Sequence, residues 1–474
     1  MKATGKVWGG KETFVNSSKK MQITSTEYRP SDYLQQIFKR CINPRINTKP
    51  AEVIVDNSED RIIYFGNTRA DLRGEPVFRN FRKSKRMLVI GKTGDGKSVF
   101  ANSIACQFMN YNIPTEFICD IKGHIYSTIS KPVQDYYYQF LPPGVKPRGY
   151  EVKSYIPKTI IDFSKKPQIR EGEQVFQYNM KEIDFRDLVT VSTVLSEAAN
   201  KGKSTVDILE VIWNECGGDI DSFQAAIKSG GNFEIGGEFV SVSNSIRVEI
   251  INAINLVKIQ GMVGATNNVD INADFDKGKC VAINLKGKDN VRDSRWHSIC
   301  AVEIRRAFNY YKPILVIVDE AHNLIMRNFW NSAQFYLFKS LQEGRDRGEN
   351  LLLLGQTVKS SRTKNAEGRQ VTTAVDPRVA KNCDYVFLTG KTSEEDRKTI
   401  AENIANPLTN QELNGTVEIV GNQVVVLQRG LQQLGISSEG RAEWCLIDVD
   451  KPVGERLTFF WPYISPCFVN EEKS

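Results

Sequence analysis

From residue 85 onward the chain alternates short, unbroken apolar runs with segments whose apolar residues recur at helical spacing. Met87–Ile90, TEFICDIKG (115–123), KCVAINLKG (279–287), Ile314–Val318, NLLLLG (350–355) and DYVFLTG (384–390) are the runs. Each is too short for a helix that would offset its own nucleation cost. Their apolar residues are consecutive rather than alternate, which predicts strands buried on both faces. SVFANSIACQFMN (98–110) and SRWHSICAVEIRRAF (294–308) have the period of helices. Strands of this kind alternating with helices predict an α/β fold, a parallel sheet covered on both sides.

The flanking regions read differently. Residues 1–84 form a small N-terminal region, polar at first, in which AEVIVD and RIIYFGN predict a β-hairpin over 51–67. A basic cluster, Arg79, Arg82, Lys83, Lys85 and Arg86, closes that region. It reads as a DNA-facing patch or as a solvated linker. The interval 134–277 contains DLVTVSTVLSEAA, STVDILEVIWNEC and NSIRVEIINAINLV, all of helical period, and predicts an α-rich insertion. The core then comprises 85–133 and 278–400. In the C-terminal segment, 401–474, TVEIV and QVVVLQ flank a Gly-Asn pair and predict a second hairpin.

Composition narrows the class. The 474 residues carry 63 Lys+Arg against 56 Asp+Glu, a balance of +7 that permits a nucleic-acid partner only where the charge is clustered. Nine cysteines are scattered without a CxxC pair and there are three histidines, so neither a disulfide framework nor a zinc site is expected. No signal-like start and no apolar stretch of about 20 residues is present, so the chain reads as a cytoplasmic protein without membrane insertion.

The first motif with chemistry is Gly91-Lys92-Thr93-Gly94-Asp95-Gly96-Lys97-Ser98, a match to G-x-x-x-x-G-K-[ST] with a strand before it and a helix after. Glycines let backbone N–H groups converge on phosphates, and the helix N-terminus adds partial positive charge. Gly91, Thr93, Gly94, Asp95, Gly96 and the first helical residues through Val99 therefore line a nucleotide site. Lys97 reaches the β- and γ-phosphates and the Ser98 hydroxyl ligates Mg²⁺. Asp319 and Glu320 follow the apolar run 314–318, at the carboxyl end of a buried strand where open α/β sheets bind ligands. Asp319 is placed to hold Mg²⁺ through water, and Glu320 to polarise an attacking water. His322 lines that site or is structural.

Gln356 ends the next apolar run and is placed to touch a γ-phosphate or orient water. Just before that run, Glu343-Gly344-Arg345-Asp346-Arg347-Gly348 sets two arginines on a glycine-flanked loop. This is a solvated loop or, in a ring, an arginine supplied to a neighbour's nucleotide. After Gln356, Lys359, Arg362, Lys364 and Arg369 lie in a segment with few acids. It reads as a solvated loop or as a DNA-phosphate grip whose affinity would depend on salt.

In LVIGKTGDGKS, EFICDIKGHIYS, KCVAINLKGKD, ILVIVDEAHNLI, LQEGRDRGENLLLLGQT and DPRVAKNCDYVFL, the chain resembles the HerA/FtsK superfamily of DNA-translocating ATPases, most of all its HerA branch. The segments occur in the family's order over about 300 residues. The resemblance implies a P-loop NTPase (RecA-like) core, ATP and Mg²⁺ as ligands, hydrolysis at Asp319 and Glu320, a sensor at Gln356 and an interface arginine at Arg345. It also implies a homo-hexamer that threads double-stranded DNA, working with a nuclease, capsid or conjugation partner. The chain departs from the family where Asp120-Ile121-Lys122-Gly123-His124 replaces the usual Asp-x-x-Gly-Glu, in its short N-terminal region, and in the segment KSSRTKNAEGRQ.

Asp-Glu-Ala-His also suggests a two-lobed helicase. About 220 residues separate Ser98 from Asp319 and about 118 follow Gln356, too many for one lobe and too few for a second. An ATPase energising protein secretion, pilus or conjugation machinery stays open. So does a nucleotide-gated scaffold, though Glu320 speaks against the latter.

Overall fold

A computed structural model describes residues 60–68, 75–120, 125–161, 169, 172–235, 238–259, 262–264, 269–285, 294–310, 312–325, 331–358, 362–364, 370–372, 374–405, 417–434, 443–452 and 455–467. The strands are, in chain order, β1 (Ile62–Thr68), β2 (Pro76–Asn80), β3 (Arg86–Ile90), β4 (Thr115–Asp120), β5 (Val152–Pro157) and β6 (Glu173–Phe176). Then come β7 (Asn232–Ile235), β8 (Glu238–Ser241), β9 (Cys280–Asn284), β10 (Ile314–Val318) and β11 (Glu349–Gly355). Last are β12 (Arg362–Lys364), β13 (Gln370–Thr372), β14 (Tyr385–Thr389), β15 (Trp444–Asp448) and β16 (Leu457–Pro462).

Twelve of them form one sheet in the order β2-β1-β16-β15-β14-β3-β11-β10-β4-β9-β5-β6. From β14 to β6 every pairing is parallel; from β14 through β15, β16 and β1 to β2 every pairing is antiparallel. The consecutive apolar residues divide between the two faces as the strand period of two requires. Met87, Val89, Leu352, Leu354, Leu315 and Ile317 join one buried cluster, roofed by the helix Lys97–Asn110. Leu88, Ile90, Leu351, Leu353, Val316 and Val318 join the other, under the helices Ser294–Phe308 and Ser332–Glu343. Each such side chain, fully removed from water, contributes about 1.5–3 kcal/mol.

The interval 134–277 holds helices at Phe185–Val191, Thr193–Asn200, Ser204–Glu215, Ile220–Ser229 and Asn244–Ile259. It also supplies β5 and β6, which extend the parallel sheet beyond β9, so part of it belongs to the core layer. In the N-terminal region, RIIYFGN falls on β1, which pairs with β2 and β16; AEVIVD lies outside the described residues.

The expected C-terminal hairpin is not formed. Residues Val417–Gln432 are a single helix. Its described half explains why: Leu427, Leu431 and Leu434 are buried at helical spacing, whereas Val425 and Val426 are exposed. Strand alternation would have buried Val425 along with Leu427. Arg397, from the helix Glu394–Ala405, donates to the carbonyls of Leu431 (3.0 Å) and Leu434 (3.1 Å) and so satisfies the C-terminal end. The valine run and the Gly-Asn pair imitate a hairpin locally, and tertiary packing overrides them.

Candidate nucleotide site

The loop 91–96 leaves β3 at its carboxyl end and enters the helix Lys97–Asn110. Gly94 and Gly96 have φ of 85° and 83°, the left-handed region that other residues occupy only with strain. Gly91 is required for a different reason: a Cβ there would stand 2.4 Å from Thr389 Cγ2 and 2.7 Å from Thr389 Oγ1. Thr93 and Gly94 are exposed at the loop tip. Lys97 is buried; its Nζ donates to the carbonyls of Gly91 (2.7 Å) and Lys92 (2.9 Å). Those weak acceptors keep the ammonium inside the cradle, where phosphate oxygens would be stronger partners. Ser98 and Val99 are half-buried in the first helical turn.

Asp95 turns inward. Its carboxylate accepts from the Lys92 N–H (2.8 Å) and the Thr389 hydroxyl (2.5 Å), and pairs with Lys391 at 3.4 Å. Thr392 continues the brace: its hydroxyl donates to the Ile90 carbonyl (3.1 Å) and receives the Thr389 N–H (3.1 Å). The side chain of Asp95 thus fixes the loop to the end of β14. A carboxylate pointing at phosphates would repel them.

The neighbouring strands deliver the carboxylates. β11 lies between β3 and β10, and the Gly91 N–H donates to the Gly355 carbonyl at 3.2 Å, so Gln356 emerges directly beside the loop. Gln356 Nε2 donates to Glu320 Oε1 (3.1 Å) and Oε2 (3.0 Å), and His322 Nδ1 lies 3.2 Å from Glu320 Oε2. Asp319 accepts the Glu320 N–H at 2.9 Å. Glu320 itself has φ 49° and ψ 42°. It is one of two non-glycine residues with positive φ among the described residues, a conformation that costs on the order of 1–2 kcal/mol. Backbone outliers of this kind cluster at active sites and ligand clamps.

Mg²⁺ fits the donors present. A hydroxyl (Ser98, in the first helical turn after the loop) and a carboxylate (Asp319, after β10, two strands from β3) are hard oxygen ligands, and Mg²⁺ in nucleotide sites takes one or two such groups besides phosphate and water. Among the described residues no group of three or more His, Cys, Asp or Glu could hold a metal by itself.

The structure separates the remaining predicted residues. Arg345 sits before β11, at the opposite end of the sheet from Gln356, about 20 Å away along a seven-residue strand. Its Nη2 pairs with Asp384 at 2.7 Å, and its side chain is 46% exposed. An arginine cannot span that distance to the nucleotide site of its own chain. Arg362 and Lys364 lie on β12, which pairs with β13 in a two-stranded ribbon rather than a loop; Lys359, Arg369 and His124 lie outside the described residues. The basic cluster before β3 is largely engaged within the fold. Arg79 pairs with Asp448 (3.0 Å), Arg82 with Asp60 and Lys85 with Asp384 (3.3 Å). Buried Arg86 donates to the carbonyls of Ser340 (3.0 Å) and Glu349 (3.1 Å).

Sequence reasoning missed Thr389, Lys391, Thr392 and Asp396. Asp396 accepts the Thr357 hydroxyl (2.6 Å), the Val358 N–H (2.8 Å) and the Ser393 hydroxyl (2.5 Å), pinning the chain between Gln356 and the ribbon. Ser393 and Asp396 have capping-box spacing at the start of the helix Glu394–Ala405, a signal visible in the sequence.

No family model and no curated protein matches this chain. Among solved structures it is similar to the plasmid coupling protein TrwB in complex with a non-hydrolysable GTP analogue, with 12% identity, 82% of this chain and 87% of that one covered, and a TM-score of 0.44. It is similar to VirB4 of Thermoanaerobacter pseudethanolicus, with 13% identity, 85% and 96% covered, and a TM-score of 0.44. A third is the genome packaging NTPase B204 from Sulfolobus turreted icosahedral virus 2, with 9% identity, 80% and 98% covered, and a TM-score of 0.32. The fold rests instead on the chain's own geometry. A parallel sheet carries the G-x-x-x-x-G-K-S loop at the end of β3, with Gln356 at the end of adjacent β11 and Asp319 and Glu320 at the end of β10 beyond it, and this is a P-loop NTPase fold.

Proposed function

We propose that this chain is an ATP-hydrolysing motor of the HerA/FtsK type, which translocates double-stranded DNA as a homo-hexamer. The observation that carries the reading is the hydrogen-bonded pair Gln356–Glu320, with His322 Nδ1 3.2 Å from the Glu320 carboxylate, beside a phosphate-binding loop whose buried lysine points into the cradle. Ser98 and Asp319 would hold Mg²⁺, which when bound would neutralise phosphate charge. The chain's own residues do the rest. The backbone N–H groups of 91–99 and Lys97 bind the phosphates. Glu320 accepts a proton from the attacking water, while Gln356 and His322 hold its carboxylate in place.

Hydrolysis would reach DNA through the segment after Gln356, which Asp396 ties down at Thr357 and Val358 before it enters the β12–β13 ribbon. In this reading Lys359, Arg362, Lys364 and Arg369 grip phosphates in the ring's pore. Arg345, too far from its own nucleotide, serves the neighbouring subunit after leaving Asp384. Among the described residues no helix is long and apolar enough to cross a membrane.

The test is ATP turnover with and without linear duplex DNA, together with retention on that DNA. Stimulated turnover and retention are expected. Turnover that ignores DNA, with no retention, would overturn translocation and favour an ATPase that energises secretion, pilus or conjugation machinery.

A further inference from the structure

The scattered cysteines imply no disulfide framework by spacing, yet the fold brings two of them together. Cys106 lies on the helix Lys97–Asn110 and Cys467 follows β16, 361 positions later. Both are wholly buried, both are free thiols, and their Sγ atoms are 2.9 Å apart. That is closer than non-bonded heavy atoms normally settle (about 3.5–4.0 Å) and within about 1 Å of an S–S bond.

The surroundings hold the pair in place. The Ser465 hydroxyl lies 3.0 Å from Cys467 Sγ and 3.7 Å from Cys106 Sγ, and it accepts the Cys467 N–H at 3.2 Å. The Pro466 carbonyl between them takes the N–H groups of Val133 (2.8 Å) and Arg148 (3.3 Å), and the Tyr463 N–H donates to Phe65 (3.0 Å). The segment 463–467 is therefore seated along a seam, with one thiol aimed at the helix that begins at the phosphate loop.

We propose that Cys106 and Cys467 form a disulfide that staples the segment after β16 to that helix. The oxidant is a low-molecular-weight disulfide such as oxidised glutathione. One protein thiolate attacks it, forming a mixed disulfide and releasing one reduced glutathione. The second protein thiol displaces the other glutathione as the new S–S bond closes. Two protein thiols lose two protons and two electrons, and one oxidised glutathione becomes two reduced molecules. Burial holds the Cys106 thiol well above its ordinary range, so attack waits for the seam to open or occurs during folding. Once the mixed disulfide exists, the aligned second thiol closes the ring faster than external thiol can compete.

The experiment exposes the full-length chain to oxidised glutathione both in its native state and during refolding from denaturant, alkylates remaining thiols under denaturing conditions, and reads intact mass and peptide maps. The expected result is a loss of about 2 Da before alkylation and a cross-linked peptide joining Cys106 to Cys467. The thermal midpoint should exceed that of the reduced chain by several degrees, as expected for a bond closing so long a loop. Cys467→Ser and Cys106→Ser should each abolish the cross-link and the shift; Cys445→Ser, at another buried thiol, should abolish neither. Two free thiols after exposure, stable glutathione adducts, or pairing of Cys106 with Cys280 would each overturn the proposal.

Discussion

β3 and β11 run side by side between two charged clusters, and the clusters differ in kind. At the amino ends, charge is matched within the fold. Asp384 accepts the Arg86 N–H (2.7 Å) and pairs with Lys85 and Arg345. Glu349 accepts the Ser340 hydroxyl (2.6 Å), and the Arg86 guanidinium is engaged by carbonyls. At the carboxyl ends, Lys97 donates to carbonyls of its own loop and Glu320 holds a left-handed backbone to meet Gln356 and His322. Charges already neutralised by the chain fix position. Charges gathered round an exposed, glycine-lined phosphate loop stay within reach of a ligand. Substitutions at the first end should therefore move stability, and those at the second should move turnover.

The largest effect is expected at the loop. Lys97→Ala should lower ATP turnover by about 10⁴-fold and abolish nucleotide binding in a fluorescence titration, since one positive charge on developing phosphate charge is worth several kcal/mol in a water-poor site. Its thermal midpoint should stay within a few degrees of the parent. Near-parental turnover would dissolve the distinction between the ends.

Arg345 sharpens the comparison because it belongs to the stabilising end but is half exposed. Arg345→Ala should cost under about 1 kcal/mol of stability and yet lower turnover about 10³-fold. Mixing it with Lys97→Ala should restore some ATPase activity through interfaces that retain both residues. Mixed rings, seen by native mass spectrometry, that stay inactive would leave Arg345 as an ion-pair partner of Asp384 only.

A smaller effect is expected in the basic segment that follows Gln356. Replacing Lys359, Arg362, Lys364 and Arg369 by Ala should flatten the dependence of log affinity on log salt by about 0.9 for each DNA phosphate no longer gripped. An unchanged slope would remove that segment from DNA binding.

The smallest effects are thermodynamic. Asp384→Ala should cost about 2 kcal/mol in calorimetry, chiefly because the buried Arg86 N–H loses its acceptor, with turnover per folded molecule near the parent's, because Arg345 is retained. Burial pushes the Glu349 carboxyl up to about 7, against the opposing pull of Ser340 and Arg86. Its folded-state pKa lies above its unfolded value, so its favourable contribution is complete below pH about 4.5 and is lost as pH rises through about 7. Glu349→Gln should therefore flatten the fall in unfolding free energy between pH 5 and 8, by an amount on the order of 1 kcal/mol; an unchanged pH profile would contradict this.

What is legible in the sequence is local. Gly91–Ser98 is one contiguous turn, Asp319 and Glu320 follow a five-residue apolar run, and Gln356 ends another, so strand ends alone predict their meeting. The brace is not legible, because parallel crossovers set its partners far apart: Asp95 and Thr389 are 294 positions distant and Cys106 and Cys467 are 361. The helix Val417–Gln432 reads as a hairpin because valine and Gly-Asn carry a strand signal that only the buried leucine stripe overrules. Arg345 stands out in the sequence as an arginine in a polar loop, but its anchor on Asp384 depends on β14 lying beside β3.

Everything turns on Glu320 as the base of an ATP hydrolase, held by Gln356. Single-turnover hydrolysis and ATP affinity, measured together on Glu320→Gln, test it most directly. Affinity should stay within a few-fold of the parent while the hydrolysis rate falls at least about 10²-fold. An equal loss of both, or hydrolysis at the parental rate, would contradict it.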